Sequence, residues 1–144
     1  MIYSSACEYA IRAVTYLALH PLDVRITARQ ISQAEKIPSP YLSAVLQRLV
    51  AAGLLDSTRG PAGGYILTRP PQTITLHQIK EAVDGVKALD TCAVGLGRCS
   101  DDTPCPLHDS WKPIREEIRS YLNETTLEDM AVAVSSKRST AGVK

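Results

Sequence analysis

The 144-residue sequence predicts a mainly α chain with one small β-hairpin. Three observations carry that reading. Apolar residues recur at helical spacing over 6–19, 40–52 and 110–123. Two short β-prone runs flank the glycine-rich turn Arg59-Gly-Pro-Ala-Gly-Gly64. Pro21, Gly53, Pro70-Pro71 and Gly85 punctuate the chain between these runs.

In residues 6–19, Ala6, Ala10, Ala13, Val14 and Leu17 share one face, and Pro21 stops the helix. Cys7 lies on that apolar face as a small buried thiol, and Glu8 and Arg12 are spaced to pair across one turn. Thr27 is placed to cap a helix over 28–36 with Ile31 and Ala34 inward. Ser39 is placed to cap a second helix starting at Pro40, with Leu42, Val45, Leu46 and Leu49 as its stripe and Gly53 as its stop. Two short helices around a tight turn, followed directly by a glycine-rich hairpin (54–58 and 65–68), describe a winged helix-turn-helix. In that arrangement the second helix enters the major groove of DNA.

After Pro70-Pro71, residues 75–84 read as a short helix with Leu76, Ile79, Ala82 and Val83 inward. A longer helix over 110–123 carries Trp111, Ile114, Ile118, Tyr121 and Leu122 on one stripe, with Pro113 tolerated in its first turn. That stripe is a candidate dimer seam. Thr126-Leu-Glu-Asp opens a short last helix. The predicted organisation is a winged helix-turn-helix domain over 1–71, a connecting helix over 72–87, a cysteine loop over 88–107, a dimerisation helix with a short C-terminal helix over 108–133, and a disordered polar tail over 134–144.

Composition excludes several classes. The longest apolar runs fall far short of a membrane span, and the first residues show no signal peptide, so a cytoplasmic protein without membrane partners is expected. No nucleophile–base arrangement or carboxylate pair stands out, so neither an enzyme nor a small-molecule substrate is expected. Residues 1–70 carry seven Lys/Arg against four Asp/Glu, and residues 71–144 carry nine against eleven. The modest basic excess therefore lies on the half that reads as DNA-binding.

Three of the four cysteines fall in Cys92-Ala-Val-Gly-Leu-Gly-Arg-Cys99-Ser-Asp-Asp-Thr-Pro-Cys105-Pro-Leu-His108. A short polar loop does not bury three thiols for packing, but its thiolates can converge on a metal or an iron–sulfur cluster. A structural zinc site of three cysteines and His108 is the rival, although zinc sites usually show a tighter cysteine pair. Three reduced thiols in an empty loop and a pair of disulfides complete the alternatives.

The chain resembles the Rrf family of bacterial winged-helix regulators, in its IscR-, NsrR- and RirA-like branch. The residues that carry the resemblance are Glu8-Tyr9-Ala10-Ile11-Arg12-Ala13, Ile37-Pro-Ser-Pro-Tyr-Leu42, the wing Arg59-Gly-Pro-Ala-Gly-Gly-Tyr65, Thr73-Ile-Thr-Leu76, the three cysteines and Thr125-Thr-Leu-Glu-Asp129. It covers about residues 1–133. It implies a homodimeric transcription factor on double-stranded, palindromic operator DNA. It also implies an iron–sulfur cluster (2Fe-2S or 4Fe-4S) on Cys92, Cys99 and Cys105, whose state sets operator affinity. His108 is the expected fourth ligand, with Glu8 from the partner subunit as the alternative. CymR-like members lack the cluster, so a cluster-free regulator, thiol-switched or zinc-stabilised, is the second reading. Two positions depart from the family pattern. Ala62 stands where glycine is usual. Ser43 stands where an acidic residue commonly follows the Tyr-Leu pair, so the operator sequence does not carry over.

For DNA, Ser39, Tyr41, Ser43, Gln47 and Arg48 are the candidates on the recognition helix, with Arg59 at the wing. Arg48 has an alternative role in an intradomain pair, and Tyr41 in packing.

Overall fold

The computed structural model describes residues 2–85, 89–90, 94, 97, 100–104 and 106–140. In chain order the described elements are α1 (Ser5–Ala18), α2 (Ala28–Glu35), α3 (Ser39–Ala51), β1 (Leu55–Thr58), β2 (Gly64–Leu67), a 3-10 turn (Pro71–Thr73), α4 (Leu76–Asp84), α5 (His108–Glu124) and α6 (Leu127–Thr140). This is the expected winged helix-turn-helix with a long α5 behind it.

α1 is the central element, packed against α2, α3, α4 and α6. Its buried face carries Cys7, Ala10, Ala13, Val14 and Leu17. The small residues let neighbouring helices approach closely, which suits a chain with no Phe. Ser4 caps α1 by accepting from the Cys7 backbone N–H at 3.0 Å. Ser4 in turn donates its backbone N–H to Asp84 Oδ2 at 3.1 Å and its hydroxyl to Asp84 Oδ1, tying the head of α1 to the end of α4.

Reciprocal capping boxes start α2 (Thr27 with Gln30) and α4 (Thr75 with Gln78). Thr126 and Asp129 exchange the same pair of bonds ahead of α6, at 2.9 and 3.1 Å. The Thr126 backbone N–H, and after it the Thr126 hydroxyl, hold the Asp129 carboxyl below its ordinary range. β1 and β2 pair antiparallel from Leu55↔Leu67 to Thr58↔Gly64. A bridge from Ile26 to Tyr65 adds a third, one-residue rung before α2. A second bridge, Thr75↔Thr126, joins the start of α4 to the start of α6.

Several local expectations are corrected. Arg12 pairs with Glu35, not with Glu8. Glu35 rather than Ala34 is the inward residue of α2, because it lies one turn beyond Ile31 and has a partner waiting. Ser39 is the first residue of α3 and caps nothing. Pro38 precedes it, and Ser39 Oγ lies 3.3 Å from Ser32 Oγ. α5 begins at His108, so Pro113 sits in its second turn rather than its first.

The tail expected over 134–144 is helical as far as Thr140. Met130 packs on the core and Arg138 pairs with Glu35 of α2 at 2.8 Å, and these contacts of α6 with α1 and α2 hold the helix past residue 134. No described helix is long and apolar enough to cross a membrane.

Candidate functional site

The residues expected to meet DNA lie on α3 and the wing. Leu42, Val45, Leu46 and Leu49 bury one side of α3. Tyr41, Ser43 and Gln47 are therefore exposed on the other side. Tyr41 is 62% exposed, and its ring lies 6.4 Å from that of Tyr9 on α1. It is thus supported on one side and open on the other. Ser39 is exposed and close to Ser32. Arg48 donates to the Val83 carbonyl at 3.0 Å, a partner in α4 and outside the 1–71 domain within which its alternative pairing was expected. That bond links the recognition helix to α4.

Arg59 is exposed at the end of β1, where the wing turn begins. The wing is fastened at its base by Arg25, a residue that sequence reasoning missed. Arg25 pairs with Asp56 at 2.7 Å and reaches the Asp56 and Gly64 carbonyls at 3.4 Å each. Nothing local marks it, because its partners lie 31 and 39 residues away.

Gly64 permits the close approach of the Ile26 rung. Its φ is +138°, and a Cβ there would stand 2.7 Å from the Ile26 carbonyl oxygen. At Gly63 a Cβ would meet the Thr58 oxygen at 2.3 Å. The departure at Ala62 falls on an exposed position of the turn, where a methyl is tolerated.

Cys92, Cys99 and Cys105 lie outside the described residues. Of the expected ligands, His108 and Glu8 are described. His108 is the first residue of α5 and is buried, with Nε2 2.7 Å from Asp101 Oδ1. Asp101 also takes Lys112 Nζ at 2.9 and 3.0 Å. Lys112 first, and His108 second, hold the Asp101 carboxyl below its ordinary range. Glu8 is half-buried in the first turn of α1, beside Cys7. Among the described residues, no group of three or more His, Cys, Asp or Glu is placed to hold a metal ion.

Cys7 is fully buried, and its thiol is pushed up to about 12 by burial and then by the Asp84 charge. It is a packing residue.

The apolar stripe of α5 divides. Ile114 and Tyr121, seven residues apart, are about half exposed. Trp111 is half-buried with its Nε1 unpartnered among the described residues. Ile118 packs on the core, and Leu122 is 0% exposed within it. Leu122 therefore belongs to this chain's own core and not to a seam between copies.

Comparison with known proteins agrees with this geometry. The Rrf2 family, described as iron-dependent transcriptional regulators, matches residues 3–133. The HTH-type transcriptional regulator IscR of Yersinia pseudotuberculosis is 33% identical over 130 residues, covering 90% of this chain and 79% of that protein. Among solved structures, CymR, the global cysteine regulator of B. subtilis, superposes with a TM-score of 0.77 at 27% identity, covering 90% of this chain and 95% of that one. T. potens IscR superposes with a TM-score of 0.71 at 26% identity, covering 91% and 86%. With two helices around a turn, a pinned wing and a family match over nearly its whole length, the chain belongs to the Rrf2 family and is a DNA-binding winged-helix transcriptional regulator.

Proposed function

We propose that this regulator binds a palindromic operator as a homodimer in the cytoplasm, and that an iron–sulfur cluster on Cys92, Cys99, Cys105 and His108 sets its operator affinity. The observation that carries the reading is the His108–Asp101–Lys112 arrangement at the head of α5. A carboxylate that holds one ring nitrogen of a histidine fixes the ring's orientation, as is usual for metal-binding histidines. Three thiols and an imidazole within 17 residues are also a donor set suited to iron. The fit is chemical, since the three cysteines lie outside the described residues.

When bound, the cluster supplies a centre that oxidants and nitric oxide can attack. The chain's own residues supply the connection to DNA. Asp101 orients His108, and Lys112 holds Asp101. α5 packs on α4, and α4 receives Arg48 of the recognition helix at the Val83 carbonyl. A change at the head of α5 thus reaches α3 through two packed helices and one hydrogen bond. Two recognition helices must meet successive major grooves at a set spacing, so a small rotation of α3 changes affinity.

The structural likeness to CymR of B. subtilis favours a second reading, in which the cysteines act directly as thiol switches. Purification without oxygen followed by an absorption spectrum with iron and sulfide assays separates the two. A brown protein that loses colour and operator response in Cys99→Ala is expected. A protein that stays colourless after reconstitution and forms disulfides with oxidant would overturn the cluster reading and leave the DNA-binding assignment standing.

A further inference from the structure

α1, α2 and α6 line a half-open cavity of about 320 Å³ that none of the preceding chemistry uses. Ile11, Leu19, Met130 and Val134 give it an apolar lining, and Arg12, Glu35, Lys137 and Arg138 give it charged ends. The volume lies at the lower end of the range for small-ligand sites. Three cations share this rim with one carboxylate. Arg138 Nη2 meets Glu35 Oε2 at 2.8 Å, and Arg12 Nε meets Glu35 Oε1 at 3.6 Å. Glu35 is 7% exposed, whereas the two arginine side chains are 45% (Arg12) and 44% (Arg138) exposed. Lys137 has no ion-pair partner among the described residues.

We propose that this cavity is a second effector site, for a small monocarboxylate with an apolar body. The apolar lining takes the hydrocarbon, and the excess positive charge takes the carboxylate. An apolar alcohol leaves that charge unanswered, and a carboxylate without a body leaves the lining unfilled. The site is coupled to DNA reading through Glu35. Glu35 ends α2, the first helix of the helix-turn-helix, and α2 packs on the recognition helix α3. A bound carboxylate competes with Glu35 for Arg138 and so loosens the hold of α6 on α2. This inference does not depend on the three cysteines or on a cluster.

The test is calorimetric titration of the full chain with octanoate, using 1-octanol and acetate as comparison probes. Octanoate is expected to bind about tenfold or more tightly than 1-octanol, since a charge-assisted contact contributes about that factor, and more tightly than acetate, which has no hydrocarbon to bury in the lining. Arg138→Gln should weaken octanoate by a similar factor. Val134→Phe should fill the cavity and abolish binding while the circular dichroism melt is retained. Octanoate should also weaken operator binding by the wild-type chain, and this effect should vanish in Val134→Phe. Equal binding of octanoate and 1-octanol, no binding of octanoate, or unaltered binding in Val134→Phe would each overturn the proposal. Binding with unchanged operator affinity would overturn the effector role. Octanoate binding only at protein concentrations where a dimer dissociates would show that a second copy covers the cavity, and would also overturn it.

Discussion

Gly64→Ala is the substitution with the clearest structural consequence. The added Cβ would stand 2.7 Å from the Ile26 oxygen, 2.8 Å from its carbonyl carbon and 3.0 Å from its nitrogen, all backbone atoms. Relief requires Ile26 and Tyr65 to separate, breaking their two mutual hydrogen bonds at 3.1 and 2.8 Å. Two such bonds contribute about 1–3 kcal/mol together. An L side chain at φ +138° adds about 1–2 kcal/mol more. The total of about 2–5 kcal/mol corresponds to a fall in Tm of roughly 5–15 °C for a chain of this length. The measurement is a thermal melt by circular dichroism at fixed protomer concentration, because any dimer makes Tm concentration-dependent. Operator affinity should fall with it, since the Ile26 rung holds the wing against the helix-turn-helix. Ala62→Gly, at an exposed position of the same turn, serves as the control and should melt with the wild type. If Gly64→Ala melts with the wild type and binds operator equally well, the claim that the Ile26 rung sets the wing's position is wrong.

Arg59→Ala should leave the melt unchanged while lowering operator affinity by about 1–3 kcal/mol and the salt dependence of binding by about one ion; titrations at several salt concentrations that show neither change would remove Arg59 from the interface. Ile114→Asp should convert the proposed dimer to a folded monomer in analytical ultracentrifugation, whereas Leu122→Ala should destabilise the fold by about 2–5 kcal/mol without selectively separating the proposed subunits. The reverse pattern would place the seam elsewhere. Cys7, pushed up to about 12, should react with iodoacetamide near pH 8 about a thousandfold more slowly than an ordinary thiol, as read by mass spectrometry on a variant with the other three cysteines changed to serine. The folded pKa lies above the unfolded one and the charged form is the thiolate. The stabilising contribution is therefore complete below about pH 9 and declines as pH rises towards 12. Equal labelling in folded and unfolded protein would contradict it.

What was legible in the sequence was whatever chemistry is local. Thr27 starts α2 because its hydroxyl satisfies a backbone N–H three residues on. The stripe Leu42, Val45, Leu46 and Leu49 showed which side of α3 is buried and which is left exposed. Glu35 was illegible because its partners are 23 and 103 residues away, so periodicity favoured the apolar Ala34 beside it. The same distance hid the helix over 134–140, whose composition reads as a tail until Met130 is seen on the core and Arg138 on Glu35. Leu122 shows a related limit. Helical spacing reveals an apolar face but not whether the covering surface belongs to the same chain. At the candidate site, Tyr41, Ser43, Gln47 and Arg59 lie where helix phase and turn chemistry put them, whereas Arg48 was taken up by a carbonyl on a helix 35 residues onward.

The ion pair between Glu35 and Arg138 also orders events in time. The arginine that completes the surroundings of Glu35 is synthesised 103 residues later, roughly 5–20 s at ordinary translation rates. Until then the emerging helix-turn-helix has only Arg12 to answer that charge, and Ile74 lacks the Leu127 amide that later donates to it. The helix-turn-helix of this regulator thus reaches its final packing only when α6 leaves the ribosome, so a product stalled before α6 carries α3 without the framework that holds it.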